Sequence, residues 1–351
     1  MSSLYESRLL ADLNAIEARV QGVAEMVRLG LDNAVLGLLD GDSARCYQVV
    51  LYDKPINRET RALDAMCHAF VATHFPAAGH LRFISSVLRL DIELERTGDY
   101  GVNIAREAVK LSEPPPADVA ADIKLLAAQS LGMFERAIGC WADRNAEQAK
   151  ALMATAYDIE KTYSRVFKNL LQEGSSRPLK DLFALLDVCK NLERVGGQSK
   201  NICEETVFTV TGETKEPKVY RILFADAGND SLSQLAEAFA RKVFSNSGEF
   251  SSAGWSCAEQ LDDEMVQLAN SAGLDLGGAV PRSLAQERER LKRYHLIVGL
   301  GRGARQHIPK VPFNTIYLEW DVEEGELAGQ FREVSAQIRA LMEILRGERA
   351  C

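Results

Sequence analysis

Two segments of this chain, DIELERTGDYGVNIA (91–105) and CKNLERVGGQSKNIC (189–203), lie 98 residues apart and agree in register. Glu95 matches Glu193, Arg96 matches Arg194, Gly98 matches Gly196, Asn103 matches Asn201 and Ile104 matches Ile202. Agreement at that spacing marks an internal duplication of one supersecondary unit. The unit is helical. Apolar residues recur at three and four in AEMVRLGLDNAVLGLLDG and in DVAADIKLLAAQSLGMFERAIGCWADR, the period of a helix with one buried face. Breakers punctuate the runs at GDS (41–43), Pro55, FPAAG (75–79), EPPPAD (113–118), ADRN (142–145) and EGSSRP (173–178). The breaker spacing predicts about six helices, which the Pro triplet 114–116 divides into two groups of three.

The pattern changes after residue 211. TGETKEPKVY (211–220) is polar, contains Pro217 and reads as a linker. RILFADAGNDS follows, a short apolar run that ends in a Gly-bearing turn, and then a helix, SLSQLAEAFARKVF. YHLIVGL (294–300) and TIYLEW (315–320) read as further buried strands. Strands alternating with helices imply a parallel sheet covered on both faces. The expectation is a multidomain chain: an all-α pair of three-helix bundles, then a three-layer α/β domain with a small parallel sheet. The expected boundaries are 1–112 and 117–213 for the bundles, 214–218 for the linker and 219–351 for the α/β domain.

The net charge of -9 disfavours a nucleic-acid binder, because phosphate neutralisation needs clustered Lys and Arg. No uncharged apolar stretch reaches about 18 residues, so no membrane span is expected. The N-terminal segment carries Glu6, Asp12 and Glu17 in an amphipathic pattern; it reads as a surface helix and not a signal peptide, giving a cytoplasmic expectation. The seven cysteines (46, 67, 140, 189, 203, 257 and 351) form no C-x-x-C pair, which argues against a zinc ribbon and for buried thiols. His68, His74 and His80 read as a helix end and its loop.

Asp91, Glu95 and Asp99 stand at i, i+4 and i+8, with Asn103 at i+12, on one stripe of a helix. Like charges at that spacing repel. A solvated face, basic residues from a neighbouring helix or a bound hard cation would each compensate. The segment LRLDIELERTGDYGVNIA resembles the motif helix of the PhoU family of phosphate-uptake regulators, and LDVCKNLERVGGQSKNICEETVFTVTGE resembles that family's second motif. LRFIS after the FPAAGH turn resembles its helix junction, and the likeness covers about residues 5–213. The resemblance implies two three-helix bundles side by side and metal held by Asp91, Glu95 and Asp99, with Glu193 from the second copy. The metal is a divalent or trivalent ion such as iron, zinc, manganese or magnesium. In that second copy Gly197 stands for Asp99 and Cys189 for Asp91, which leaves its site reduced. Asp53 and Asp158 are further candidate oxygen ligands. The resemblance also implies partners: a phosphate ABC transporter or sodium-phosphate transporter, and a phosphate sensor histidine kinase. It implies a homodimer that reaches the membrane only through those partners.

A strand, a Gly-bearing loop and a helix N-terminus ordinarily make an anion site. ILFADAGNDSLSQLAEAFARKVF resembles the phosphate loop of low-molecular-weight protein-tyrosine phosphatases and related arsenate reductases, and FSSAGWS and ANSAGLDL resemble later segments of that family, over about residues 219–345. Gly228, Asn229, Ser233, Ala236 and Glu237 match the loop pattern. The nucleophilic Cys is replaced by Asp226 and the phosphate-clamping Arg by Leu232, and Glu324-Gly325 stands for the general-acid pair. Asp226 and Asp230 place two carboxylates in the loop; at about 4 Å they would repel by roughly 4 kcal/mol. The expectation is a pseudophosphatase, no enzyme, within a metal-binding regulator of phosphate transport and phosphate-starvation signalling. The alternatives are an active phosphatase or arsenate reductase with rearranged residues, or a metal sensor or store.

Overall fold

The computed structural model describes residues 4–173, 177–214, 218–287, 290–308, 311–312, 315–323 and 325–347. The chain divides into two compact units, Met1–Lys215 and Glu216–Cys351. No helix among the described residues is long and apolar enough to cross a membrane.

The described residues of the first unit form seven helices: α1 (Leu4–Asp40), α2 (Ser43–His74), α3 (Ala78–Lys110), α4 (Ala117–Ala142), α5 (Ala146–Met153), α6 (Ala156–Glu173) and α7 (Leu179–Thr211). The Asp42 and Asn145 side chains accept backbone N–H groups at the starts of α2 and α5, satisfying donors that a helix leaves orphaned. Gly212 ends α7 at φ 78°, a left-handed cap suited to glycine. Two of the expected breakers behave differently. Pro55 sits inside α2. It deprives the Leu51 carbonyl of its helical donor, at a residue that is 70% exposed. A break that no Gly or Pro announces splits the second helix of the second group into α5 and α6. There the Thr155 hydroxyl donates to the Leu152 carbonyl at 2.7 Å, a local bond that competes with the helix ladder.

The two repeats share one core. Buried residues from Ile16 in α1 to Val207 in α7 form a single cluster, so the Pro triplet separates sequence copies without separating cores. The two motif helices, α3 and α7, pack against each other. The Gln198 amide donates to the Tyr100 hydroxyl at 3.1 Å, and these residues are 98 positions apart, the offset of the duplication. Equivalent positions that touch each other are the signature of an isologous interface. Asn201 to Glu93 at 3.1 Å and Arg89 to Glu205 at 2.7 Å extend this polar seam.

In the second unit four parallel strands, β1 (Tyr220–Asp226), β2 (Gly248–Gly254), β3 (Leu296–Leu300) and β4 (Ile316–Trp320), run in the order β2-β1-β3-β4. The helices are α8 (Leu232–Val243), α9 (Asp263–Ser271) and α10 (Leu327–Arg346). Alternation along β1 sends Ile222 and Phe224 into a core with α8, α9 and α10, and Leu223 and Ala225 into a smaller core with Leu284, Leu291 and Ile308. Among the described residues, that second face is covered by short turns and three-residue helical turns. β4 is an edge strand with Ile316 56% exposed, where a buried strand was expected. β1 lies between β2 and β3, so the chain leaves it in opposite directions on its two sides. The crevice at its C-terminal end is the switch point where such sheets bind ligands.

Candidate functional site

The acidic stripe lies on α3 facing α2. Asp91 Oδ1 is buried with no hydrogen-bond partner. Burial, then the charges of Asp64 and Glu95, push its carboxyl up to about 7. Asp99 is also raised, by burial and by the charges of Asp53 and Glu95, against the pull of Arg106. Asp53 accepts from the Asn57 amide at 2.9 Å, and the Asp64 carboxylate lies 3.5 Å from His68 Nδ1. Asp64 is the member that sequence reasoning missed. Its signal was available: Asp53 and Asp64 are eleven residues apart in α2, three helical turns on one face. This donor chemistry, hard carboxylate oxygens with one orphaned and unneutralised, fits a hard cation. Among the described residues, no group of three His, Cys, Asp or Glu stands gathered to hold a metal ion.

The second copy is neutralised from within. Glu193 accepts from Lys190 Nζ at 2.6 Å, and that ammonium also lies 5.1 Å from the centre of the Tyr163 ring. Cys189 is fully buried and its thiol is pushed up to about 12 by burial. Asp158 pairs with Lys161 at 3.7 Å on an exposed surface. The glycines of the two E-R-x-G motifs face different packing, and only the second is tight. A Cβ on Gly98 would meet Val27 and Ile56 at 3.6 Å, and one on Gly196 would meet Ile159 Cδ1 at 2.8 Å.

The strand–loop–helix of the second unit is built around Asp226, the last residue of β1. Its carboxylate is buried and takes two backbone N–H groups: Asn229 N at 2.6 Å on Oδ1 and Ser233 N at 2.9 Å on Oδ2. Ser233 N belongs to the first turn of α8, so Asp226 caps that helix from the strand end. Burial holds the Asp226 carboxyl above the usual carboxylate range and outweighs the pull of the Ser233 and Asn229 backbone bonds and the Ser233 hydroxyl; the charge of Asp230 is the smallest contribution. The repulsion expected between the two carboxylates is therefore a minor feature, because the loop amides receive Asp226 directly. Asn229 adopts a left-handed φ of 55°. Its side chain donates to Ser233 Oγ at 2.9 Å and accepts from Arg282 N at 2.7 Å and Gln234 Nε2 at 3.1 Å. Gly254, which ends β2, has no room for a Cβ: Ala227 O and Gly228 C would lie 2.7 Å away.

Leu232 is buried in the core at the first position of α8, so no cation stands where the loop would clamp a phosphoryl group. Above the loop is a cleft of about 800 Å³ lined by Asp226, Gly228, Asp230, Trp255, Leu300, Arg302, Asp321, Glu323 and Glu333. Its one arginine, Arg302, is bonded to Asp321 at 2.6 Å. Glu324, matched in sequence to the general acid, and Cys351 lie outside the described residues.

The comparisons with known proteins follow this division. Residues 20–108 and 123–206 each match the PhoU domain, and residues 221–344 match the low molecular weight phosphotyrosine protein phosphatase family. A phosphate-specific transport system accessory protein PhoU homolog of Pseudomonas aeruginosa is 31% identical over 211 residues, 58% of this chain and 85% of that protein. The PhoU accessory protein of Escherichia coli is 24% identical over 64% of this chain and 90% of its own. The crystal structure of PhoU from Pseudomonas aeruginosa superposes with a TM-score of 0.55 at 26% identity, covering 58% of this chain and 99% of that one.

Proposed function

Because the chain belongs to the PhoU domain family, we propose that it is an accessory regulator of phosphate transport and phosphate-starvation signalling that works by protein contact and not by catalysis. The observation that carries this reading is the self-paired core of α3 and α7, the two motif helices that the family match spans. The phosphatase-like unit supports it from the other side. A thiolate nucleophile and a phosphate-clamping arginine are what that chemistry needs, and Asp226 and Leu232 occupy those positions.

In this reading the carboxylates of α3 and α2, Asp91 and Glu95 with Asp64, and Asp99 with Asp53, would have to draw together to hold divalent or trivalent metal ions, which would offset the negative charge crowded on this face. Glu193, held by Lys190, contributes no second site of that kind. The partners proposed are a phosphate ABC transporter or a sodium-phosphate transporter, and a phosphate sensor histidine kinase, with the chain acting as a homodimer. Affinity capture of the full chain from phosphate-replete and phosphate-starved cells tests this. Recovery of a phosphate transporter or its kinase is the expected result. No such recovery, together with unchanged phosphate uptake and starvation-gene expression in a deletion strain, would overturn it.

A further inference from the structure

We propose that the second unit carries its own bound anion: the Asp226 carboxylate fills the oxyanion position of the strand–loop–helix and closes the loop to phosphate, and its removal opens a site for a tetrahedral oxyanion. This inference stands on the loop geometry and is independent of the transport reading above.

An oxyanion at such a place is held by loop and helix-start amides that point at one spot. Here the two amides that would do so, Asn229 N and Ser233 N, already donate to the two oxygens of one carboxylate at 2.6 and 2.9 Å. The group presents two acceptor oxygens, as an oxyanion does, seated at the N-terminus of α8 and only 9% exposed. It arrives from the end of a central strand, so its seat is fixed by the sheet pairing of β1 with β2 and β3.

The cradle does not depend on Asp226 for its shape. Asn229 is pinned from three sides, by Ser233, Gln234 and the Arg282 backbone, and the loop backbone lies against Gly254 so closely that no Cβ fits. Removing the Asp226 carboxylate therefore leaves a formed cradle with two inward N–H groups unsatisfied, a state that a small anion relieves. Wild-type protein excludes that anion twice over. The seat is taken, and the cleft above it presents Asp230, Asp321, Glu323 and Glu333 with a single arginine already paired. With Leu232 in place of a cation, the opened site holds its ligand by amides and helix dipole alone, so it binds small oxyanions without turning them over.

The test is amide hydrogen exchange of the loop in the full-length protein, with and without saturating inorganic phosphate. Wild-type protein should show residues 227–234 protected without phosphate and unchanged when it is added. Asp226→Ala should lose protection there by about tenfold, the equivalent of one hydrogen bond, and regain it with phosphate, while β1 and the body of α8 stay protected. An Asp226→Ala chain that keeps β1 and α8 protected yet gains nothing from phosphate would overturn the proposal. Should the alanine chain not fold, wild type and Asp226→Asn decide. Phosphate-dependent protection in wild type refutes a self-filled loop, as does wild-type protection that survives Asp226→Asn. Phosphate-independent protection that collapses in Asp226→Asn supports it.

Discussion

The two motif glycines allow a controlled comparison, because Gly98 and Gly196 occupy equivalent positions yet face different neighbours. Replacing a helix-interior glycine with alanine stabilises a helix by about 0.8–1.0 kcal/mol when the methyl meets nothing tight. At Gly98 the new methyl would make ordinary contacts of 3.6 Å with Val27 and Ile56, so Gly98→Ala should stabilise by about 1 kcal/mol. At Gly196 it would lie 2.8 Å from Ile159 Cδ1 and 3.2 Å from Ile159 Cγ2. Overpacking of that kind costs about 1–3 kcal/mol, so the helix gain is cancelled or reversed, and the two variants should differ by roughly 1–3 kcal/mol. The assay is urea unfolding followed by the far-UV helical signal, which the first unit dominates. Ile159→Val completes the cycle by removing the closest clashing atom. The double variant with Gly196→Ala should be less destabilised than the sum of the singles by about 1 kcal/mol, a coupling of the size expected between touching residues. Equal stabilisation by both alanines, or an additive cycle, would refute the packing account of the motif.

Three further outcomes follow from the second unit and the cysteines. Purified full-length protein should not hydrolyse p-nitrophenyl phosphate above the buffer rate; turnover that disappears in Asp226→Asn would show an active rearranged site. His295 Nδ1 accepts the Arg221 N–H at 2.9 Å, and burial followed by the charges of Lys218 and Arg221 lowers its affinity for a proton below the ordinary 6.5. The unfolded chain therefore protonates first, so stability of this unit should fall as pH drops below about 6.5, and His295→Asn, which keeps an acceptor, should flatten that dependence in urea melts at stepped pH. The thiols of Cys67, Cys189 and Cys203 are buried and pushed up to about 12, so an alkylating reagent near neutrality should reach partly exposed Cys257 before those three, which stay intact until denaturant is added. Mass mapping of the alkylated sites checks the order.

The features legible in the sequence were those that a residue's own chemistry writes locally. The duplication showed in Glu95 and Glu193 because identical side chains recur, and the loop after β1 showed in Gly228 and Asn229 because that turn needs those residue types. What stayed hidden depended on partners far along the chain. β2 is GEFSSAG, poor in β-branched residues, and it becomes a strand because β1 pairs with it in parallel from Tyr220 to Asp226. Pro55 reads as a stop, yet α2 continues through it because α1 and α3 bury the other face of that helix. Asp64 shares a face of α2 with Asp53, a spacing legible in the sequence, but its weight comes from Asp91 on the next helix. The repulsion expected between Asp226 and Asp230 is outweighed by the amides of Asn229 and Ser233, whose aim only the folded loop sets.

The same separation runs through both units. The residues that shape the backbone and its packing are in place: Gly98 and Gly196 where α3 and α7 meet their neighbours, Gly254 beneath the loop, and Asn229 at its hub. The residues that would carry chemistry differ between the copies of the motif and at the loop. Asp91 and Asp99 are matched by Cys189 and Gly197, and the remaining Glu193 is held by Lys190. At the loop, a buried carboxylate takes the amides that a phosphoryl group would need. Each replacement satisfies a charge or a donor internally, so neither place is left with an unmet requirement that a substrate would fill. The α2–α3 face is different, because Asp91 Oδ1 is buried without a partner and its neighbours are acidic. A buried carboxylate without a partner is a standing penalty, relieved by a proton, as the rise of Asp91 to about 7 shows, or by a cation that takes the proton's place. The ligand-dependent behaviour of this chain should therefore be sought first on repeat one.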